Sequence, residues 1–259
     1  MKDMKQMLDL MKDVNVFPTK KITGEAAGKA IEKCILKLQE KQGTIRIIFA
    51  AAPSQDTMLA YLSKSSEINW NRIVAFNMDE YLDLPTDAPQ LFSKYLEEHL
   101  FSKVDIKEVY TINPNIPVHQ EIERYSKLIN QGPIDIVCLG IGENGHIAFN
   151  DPPVADFQDS KVIKTVELDD LCRKQQVNDD CFEDLSKVPK KAITLTVPTL
   201  MAGKNLFCIV IGENKADAVN RTLTGPISET CPASILRKHP QCKFYFDNAA
   251  FQNVSGSDD

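Results

Sequence analysis

The sequence lacks any apolar run approaching the ~20 residues that a membrane-spanning helix needs. It also lacks an excess of positive charge, since 30 lysines and arginines stand against 36 aspartates and glutamates, for a formal net charge of -6. We therefore expect no nucleic-acid partner and no membrane partner, and an anionic ligand would need a locally positive pocket. Residues 1–11 mix charged with apolar side chains and lack the apolar centre of a signal peptide. This pattern predicts an amphipathic first helix in a cytoplasmic protein.

Cysteine pairs at metal-binding spacing are absent as well. The seven cysteines are odd in number, widely separated and never in a C-x-x-C arrangement. A disulfide framework or a zinc site is therefore not expected, and we predict no metal. The sequence also contains no Walker-type lysine loop, no G-x-S-x-G motif and no complete G-x-G-x-x-G fingerprint. These absences speak against the common nucleotide-binding and α/β-hydrolase sites.

What the sequence does contain is a regular alternation of helical and strand patterns. Residues 25–41 place apolar side chains at helical spacing, and further helices are predicted at residues 57–63, 90–100, 120–130 and 214–223. Short β-branched runs predict strands at residues 45–51, 72–76, 134–139, 192–197, 206–211 and 243–247. The alternation is typical of an α/β fold with a mainly parallel, helix-covered sheet. We predict a single domain over residues 1–250 and a disordered tail at residues 251–259.

Two of the loops that follow predicted strands carry polar residues at the edge where α/β sheets bind ligands. In residues 50–56, small residues such as Ala52 let the backbone approach a ligand, and Ser54 or Gln55 could donate to an oxyanion. Ser54 as a helix N-cap is the interpretation that we favour on this segment alone. In the next loop, Asp79 and Glu80 are adjacent carboxylates, of which one can be held by hydrogen bonds while the other is basic. The alternative for this pair is a turn with solvated acids.

A third loop, residues 139–153, combines glycines with a histidine. Gly142 and Gly145 belong to a set of three glycines within six residues, which predicts a backbone folded tightly around a ligand. His146 follows them, with Asn144 before it and Asp151 after it. The histidine is therefore a candidate base with orienting partners on both sides.

Five segments resemble, in order, those of the glucosamine-6-phosphate deaminases, also called isomerases. They are Asn-Met-Asp-Glu-Tyr at residues 77–81, Gly-Ile-Gly-Glu-Asn-Gly-His-Ile-Ala-Phe-Asn-Asp-Pro at residues 140–152, and the segments 192–200, 212–216 and 232–236. The wider superfamily includes 6-phosphogluconolactonases and sugar-sensing domains. The resemblance implies a Rossmann-like three-layer α/β/α sandwich and a cofactor-free reaction on a small-molecule sugar phosphate. It also implies a homo-oligomer.

The resemblance assigns roles to individual residues. Asp79 corresponds to the base that moves a proton between C2 and C1 of the open-chain sugar, with Glu80 beside it in a supporting or substrate-binding position. His146 corresponds to the group that handles the O5 proton when the sugar ring opens. Lys215 matches the phosphate-binding lysine of the family, and we expect a phosphate to lie between Lys215 and Ser54.

The surroundings of the histidine depart from the family pattern. The deaminases have an aspartate and a glutamate where this sequence has Asn144 and Asp151. An amide can orient His146 but cannot raise its basicity as a carboxylate would. Glu143, one position earlier, is a candidate for that role.

The phosphate-binding segments depart as well. The family's glycine-rich loop is replaced by Ala-Pro-Ser-Gln at residues 52–55, and Pro53 lacks a backbone N–H. The family's phosphate-binding arginine has no counterpart in place, because Arg173 and Lys174 lie too early in the aligned segment. We therefore expect weaker phosphate binding than in the common deaminases.

Three functions are compatible with the sequence. An isomerase or deaminase acting on an amino-sugar phosphate is favoured, because Asp79 stands in its full motif. A lactone hydrolase resembling 6-phosphogluconolactonase would need the histidine as a base but not Asp79. A non-catalytic sugar-phosphate-binding protein would keep the pocket and lose the acids.

Overall fold

Two β-sheets are present in the computed structural model, which describes residues 12–254. The strands of this range are β1 (Val14–Phe17), β2 (Ile45–Phe49), β3 (Ile73–Asn77), β4 (Asp79–Tyr81), β5 (Glu108–Tyr110), β6 (Ile136–Leu139), β7 (Ile163–Glu167), β8 (Lys191–Leu195), β9 (Asn205–Val210) and β10 (Cys242–Asp247). The larger sheet is parallel throughout and has the order β1-β10-β9-β6-β2-β3-β5. The smaller sheet is antiparallel, with β8 between β4 and β7.

Helices cover both faces of the larger sheet. They are α1 (Lys20–Gln39), α2 (Asp56–Leu62), α3 (Phe92–His99), α4 (Val118–Asn130), α5 (Asp170–Asn178), α6 (Val197–Met201), α7 (Ala216–Thr224) and α8 (Asn248–Phe251). Successive side chains of a strand point to opposite faces of the sheet, so that Ile47 of β2 packs with α1–α3 and Ile48 packs with α4, α6, α7 and α8. Burial on both faces is the reason that these strands are apolar almost throughout. The predicted α/β/α sandwich with a mainly parallel sheet is confirmed.

Each of the strand and helix patterns found in the sequence corresponds to an element of the structure, with shifted ends. Helix α1 begins five residues before the predicted start, because the Thr19 side chain accepts a hydrogen bond from the Ile22 N–H at 3.3 Å and caps it. No sequence pattern marked β1, β4, β5, β7, α5, α6 or α8. Strands β1, β5 and β7 are only partly buried and mix polar with apolar residues, so they lack the apolar runs that marked the predicted strands.

Strand β8 differs from its prediction in where it pairs. Its apolar sequence is typical of the main sheet, but it lies in the smaller sheet, where Thr194 pairs with Asp79 of β4. This sheet covers a separate apolar cluster, which includes Tyr81, Phe92 and Phe149. The smaller sheet thereby forms a wall beside the carboxyl ends of the parallel strands.

The two ends of the chain require one correction. Phe251 ends α8 and Val254 is buried in the same core, so the predicted disordered tail is wrong for residues 251–254. The rest of that tail, residues 255–259, and the predicted first helix at residues 1–11 lie outside the described residues. Within residues 12–254, no helix is long and apolar enough to cross a membrane.

Candidate active site

A cavity of about 420 Å³ lies at the carboxyl ends of β2, β3, β6 and β9. The residues singled out from the sequence divide into two groups around it. Those that line the cavity are Ala52, Ser54, Asp79, Gly142, His146 and Lys215. Those outside the lining are Gln55, Glu80, Glu143, Asn144, Gly145 and Asp151. The loops after these parallel strands thus meet at one edge, as α/β topology requires.

Asp79 is held at the sharp turn between the two sheets. The Asn77 side chain donates to the Asp79 carbonyl oxygen at 2.9 Å and accepts from the Ile112 N–H at 2.9 Å, which fixes the turn. Asp79 is buried at the start of β4 rather than in a loop, so a turn with solvated acids is ruled out. Burial raises its pKa well above the ordinary range, and the nearby charges of Glu80 and Asp151 raise it further. A carboxyl group of raised pKa is a stronger base when it ionises.

Glu80 has a different role from its neighbour. Its Oε1 accepts from the N–H groups of Tyr81 and Phe92 at 3.0 and 2.9 Å, and its Oε2 accepts from the Ser93 N–H at 2.8 Å. The carboxylate therefore satisfies free N–H groups at the start of α3. Burial raises the pKa of Glu80, although these backbone hydrogen bonds oppose the shift. Glu80 is fully buried away from the cavity, which supports the structural role and corrects its assignment as a substrate contact.

Asn144, His146 and Asp151 form a hydrogen-bonded group that we call the histidine cluster. The Nδ1 of His146 lies 2.8 Å from Asn144 Oδ1 and 3.0 Å from Asp151 Oδ1. The Asn144 amide also donates to Asp151 Oδ1 at 2.8 Å. Two oxygen acceptors favour a proton on Nδ1, which leaves Nε2 unprotonated in the neutral ring. Asn144 and Asp151 thus orient the His146 ring through Nδ1 and do not engage Nε2.

The carboxylate of the histidine cluster is Asp151 rather than Glu143. Burial raises the pKa of Asp151, but the positive charge of His146 and the hydrogen bonds from His146 and Asn144 outweigh it and hold this pKa below the ordinary value. Glu143 instead accepts from the Asn214 side chain at 2.7 Å. The proposal that Glu143 raises the basicity of His146 is therefore wrong, because its side chain points to another part of the site.

The glycines of the third loop are needed for close approach. A Cβ atom on Gly142 would lie 2.1 to 2.4 Å from ring atoms of His146, so that only glycine leaves room for the imidazole. Gly145 has φ of +91° and would place a Cβ 2.8 Å from the Cys231 sulfur. It shapes the loop from outside the cavity, and its assignment as a substrate contact is corrected accordingly.

Strand β8 contacts both the strand of Asp79 and the loop that carries His146. It pairs with Asp79 through Thr194, whose hydroxyl also accepts from the Phe149 N–H at 3.1 Å. The Asn150 amide donates to the Leu195 carbonyl oxygen at 2.9 Å. One strand therefore fixes the position of Asp79 relative to the loop that carries His146.

The loop at residues 50–56 differs from the prediction that Ser54 is a helix N-cap. The turn Pro53–Gln55 starts after Ala52, and no side chain caps it or α2, so Ser54 is not an N-cap. Gln55 is fully buried and donates to the Ile209 carbonyl oxygen at 3.2 Å. Ala52 and Ser54 remain available to a ligand, whereas Gln55 holds neighbouring loops together.

Lys215 contributes a buried ammonium group to the cavity. Its Nζ has no hydrogen-bond partner, although it lies 3.8 Å from Glu143 Oε1 and 3.7 Å from Asp179 Oδ2. Burial lowers the pKa of Lys215, while Asp179 and Glu143 act in the opposite direction. We call Glu143, Asp179 and Lys215 the lysine cluster. Asp179 lines the cavity, but no sequence pattern had marked it.

The other basic residues near α5 do not reach the cavity. Arg173 is buried and donates to the carbonyl oxygens of Leu185 and Val188 at 2.6 and 3.0 Å, and Lys174 is exposed. Among the described residues, the cationic side chains that line the cavity are Lys215 and Lys20. Lys20, which no sequence pattern indicated, lies 3.3 Å from Asp56.

Cys172 completes the surroundings of the histidine cluster. One donor atom from each of His146, Asp151 and Cys172 falls within 4.8 Å of the others, which makes this group a conceivable metal site. However, burial and the charge of Asp151 raise the pKa of the Cys172 thiol well above its ordinary value. His146 Nδ1 lies 3.0 Å from the Asp151 carboxylate, the contact of a histidine that is oriented by an acceptor. The arrangement favours orientation of His146, and metal-free activity stays a prediction.

Comparisons with known proteins agree with this geometry. The family model for glucosamine-6-phosphate isomerases/6-phosphogluconolactonase matches residues 18–244. The glucosamine-6-phosphate deaminase of Halalkalibacterium halodurans is 35% identical over 236 residues, which cover 88% of this chain and 94% of that protein. A structure described as a monomeric glucosamine-6-phosphate deaminase superimposes with a TM-score of 0.85 at 28% identity, covering 93% of this chain and 99% of the other.

A more distant structure shares the fold. The 6-phosphogluconolactonase of Thermotoga maritima superimposes with a TM-score of 0.73 at 20% identity, covering 90% of this chain and 98% of that one. At this identity the likeness concerns architecture alone. Taken with the family match and the 35% identity to a deaminase, the findings show that the chain belongs to the family of glucosamine-6-phosphate isomerases and 6-phosphogluconolactonases.

Proposed function

We propose that this protein is an isomerase and deaminase that acts on an amino-sugar phosphate such as glucosamine 6-phosphate and yields a ketose phosphate and ammonia. The observation that carries the proposal is the buried Asp79 carboxyl group, which lines the same cavity as His146. A lactone hydrolase needs a base for water but no second buried acid. The names of the relatives at about 35% identity point to the same reaction.

His146 opens the ring in this proposal. Its Nδ1 is engaged by Asn144 and Asp151, so the unprotonated Nε2 takes the proton of the O1 hydroxyl and delivers it to O5 as the C1–O5 bond of the pyranose breaks and the C1 carbonyl forms. The carboxylate of Asp151 stabilises the imidazolium that forms transiently. Ring opening produces the open-chain aldose with its amino group on C2.

Asp79 then moves the proton. The carboxylate takes the proton from C2, and the electrons of the C2–H bond form a C1=C2 double bond while O1 becomes an enolate oxygen. The same carboxyl group returns the proton to C1, and a proton moves from the nitrogen to O1, which gives a hydroxyl group on C1 and a C2 imine. Water adds to this imine and ammonia leaves, so that the products are the ketose phosphate and ammonia. A buried site suits this step, because a desolvated carboxylate is more basic than a solvated one.

The test is incubation with hexosamine 6-phosphates and hexose 6-phosphates while ammonia and ketose are measured separately. We expect equimolar ammonia and ketose from one amino-sugar phosphate, and neither product with the Asp79→Asn variant. Hydrolysis of 6-phosphogluconolactone that survives in Asp79→Asn would instead identify a lactonase. Binding of these sugars without turnover of any would indicate a sugar-phosphate-binding protein.

We also propose a cytoplasmic location and self-association. The location is supported by the acidic composition and by the free cysteines of the described residues, and self-association is supported by the resemblance to the deaminases. One structural relative is described as monomeric, so the mass of this protein in solution tests directly whether it self-associates. Sedimentation equilibrium is expected to give a mass above 29.0 kDa, and a monomer would contradict the proposal.

A further inference from the structure

The ammonium group of Lys215 in the lysine cluster has hydrogen-bond donors that no group of residues 12–254 uses. Lys215 is 4% exposed, lines the cavity and has three N–H donors, yet its Nζ has no hydrogen-bond partner. Leaving buried donors unpaired costs free energy. Such a group is therefore poised to donate to an oxygen atom of a bound molecule.

The charge around this ammonium group is unfavourable to a dianion. Asp179 Oδ2 lies 3.7 Å and Glu143 Oε1 lies 3.8 Å from Lys215 Nζ, so two negative charges accompany the single positive one. A phosphate that binds Lys215 must approach these carboxylates, where like charges repel strongly in a partly desolvated site. A neutral hydroxyl group can accept the same hydrogen bond without that repulsion.

Asp179 is fixed in this position by the surrounding structure. The Gln175 side-chain amide donates to Asp179 Oδ2 at 3.1 Å, and the side-chain Oε1 of Gln175 accepts from the Glu143 N–H at 2.8 Å. Asp179 also follows the last residue of α5, and the carboxyl end of a helix carries partial negative charge. The carboxylate cannot turn away from Lys215 without breaking its hydrogen bond to Gln175.

We propose that Asp179 is a specificity-determining residue that weakens the binding of a dianionic phosphate at Lys215, so that the enzyme also accepts amino sugars whose terminal carbon carries an uncharged hydroxyl group. This inference rests on the proposed function. It extends the substrate class from amino-sugar phosphates to unphosphorylated amino sugars.

The experiment compares glucosamine with glucosamine 6-phosphate as substrates of the wild type, Asp179→Asn and Asp184→Asn. Asparagine keeps the shape and an acceptor oxygen but removes the charge. Asp184 is an exposed aspartate outside the cavity lining, so its variant has the same net charge as Asp179→Asn. Thermal unfolding of all three proteins checks that they fold, and Asp179→Ser serves as a second variant if Asp179→Asn does not.

We expect the wild type to show kcat/KM values for the two sugars within about tenfold of each other. Asp179→Asn should raise kcat/KM for glucosamine 6-phosphate by about tenfold, because one of the two charges that repel the phosphate at Lys215 is removed. The value for glucosamine should change less than the value for glucosamine 6-phosphate, and Asp184→Asn should change neither. A strong preference of the wild type for the phosphorylated sugar, together with no gain in Asp179→Asn, would overturn the inference.

A binding measurement separates this inference from the proposed function. Titration of each protein with inorganic phosphate by calorimetry is expected to show binding about tenfold tighter in Asp179→Asn than in the wild type. If neither sugar releases ammonia, the proposed function fails, but the phosphate titration still decides the role of Asp179. Equal phosphate affinity in the two proteins would refute that role whatever the turnover shows.

Discussion

The histidine cluster and the lysine cluster are both polar and mostly buried, but they hold their charges in different ways. In the histidine cluster, Nδ1 of His146 lies within 3.0 Å of Asn144 Oδ1 and Asp151 Oδ1, and the Asn144 amide N–H donates a hydrogen bond to Asp151 Oδ1. In the lysine cluster, both carboxylates stay beyond 3.5 Å from Lys215 Nζ. Hydrogen bonds fix the direction of a group, whereas charges at longer distance adjust its affinity for a ligand. The comparison therefore separates the histidine cluster, which we propose orients a reacting group, from the lysine cluster, which we propose selects the substrate.

The largest loss of activity is expected when the negative charge of Asp79 is removed. Asp79→Asn should lower kcat by about 10³-fold, because an amide cannot take the C2 proton. KM should change little, since the side chain keeps its shape. The measurement is steady-state release of ammonia from the amino sugar that the wild type uses. An activity close to that of the wild type would remove Asp79 from the mechanism.

The geometry of the histidine cluster can be disturbed without changing any charge. Gly142→Ala places a methyl group where the His146 ring lies, and we expect the displaced imidazole to lower kcat/KM by about 10²-fold. Gly43→Ala is the matched control, because a Cβ atom at Gly43 meets nothing within 4 Å. If the two alanine variants were equally active, the close contact between Gly142 and His146 would have no functional meaning.

A smaller effect is expected when the lysine cluster loses its cation. Lys215→Ala should raise KM by about tenfold for both phosphorylated and unphosphorylated amino sugars, because each loses a hydrogen bond to a charged donor. The value of kcat should fall less than in Gly142→Ala. Lys174→Ala changes an exposed lysine on α5 and is expected to behave as the wild type. Intact binding of every phosphorylated sugar by Lys215→Ala would place the anion elsewhere.

The smallest predicted effect concerns stability and its dependence on pH. Burial raises the pKa of Asp79, so the folded state holds the proton more tightly than the unfolded chain does. Stability is therefore lost as the pH rises from the ordinary carboxyl range through the raised pKa. Asp79→Asn should unfold at a higher temperature than the wild type at pH 7 and at the same temperature near pH 3. Thermal unfolding at the two pH values measures this, and a gain that persists at the lower pH would contradict it.

The residues proposed to react, Asp79 and His146, were easier to identify from the sequence than Asp179 of the lysine cluster. Asp79 and His146 stand in long motifs at the ends of strands with clear β-branched runs, so both could be placed at one edge of a parallel sheet. The partners of His146 were also local, since Asn144 and Asp151 lie within a few residues of it. Asp179 gave no such signal, because it follows a short helix whose polar sequence shows little periodicity.

Glu80 and Gln55 show why polar residues beside a motif were misassigned. Both lie next to residues that line the cavity, but Glu80 accepts hydrogen bonds from the start of α3 and Gln55 donates to the Ile209 carbonyl oxygen in β9. Apart from the Tyr81 N–H, the hydrogen-bond partners of the two side chains lie in other elements of the fold. Proximity to a motif therefore could not distinguish a ligand contact from a structural hydrogen bond.

By itself the sequence determined the alternation of helices and strands, the parallel sheet and the two residues proposed to move protons. These features depend on local hydrophobic period and on motifs of consecutive residues. Only the tertiary structure decided that β8 pairs with the strand of Asp79 and that Asp179 faces Lys215. Both outcomes depend on which segments, distant in the sequence, meet in space. The interaction energy of two charges depends on the distance between them, and the order of residues along the chain does not give that distance.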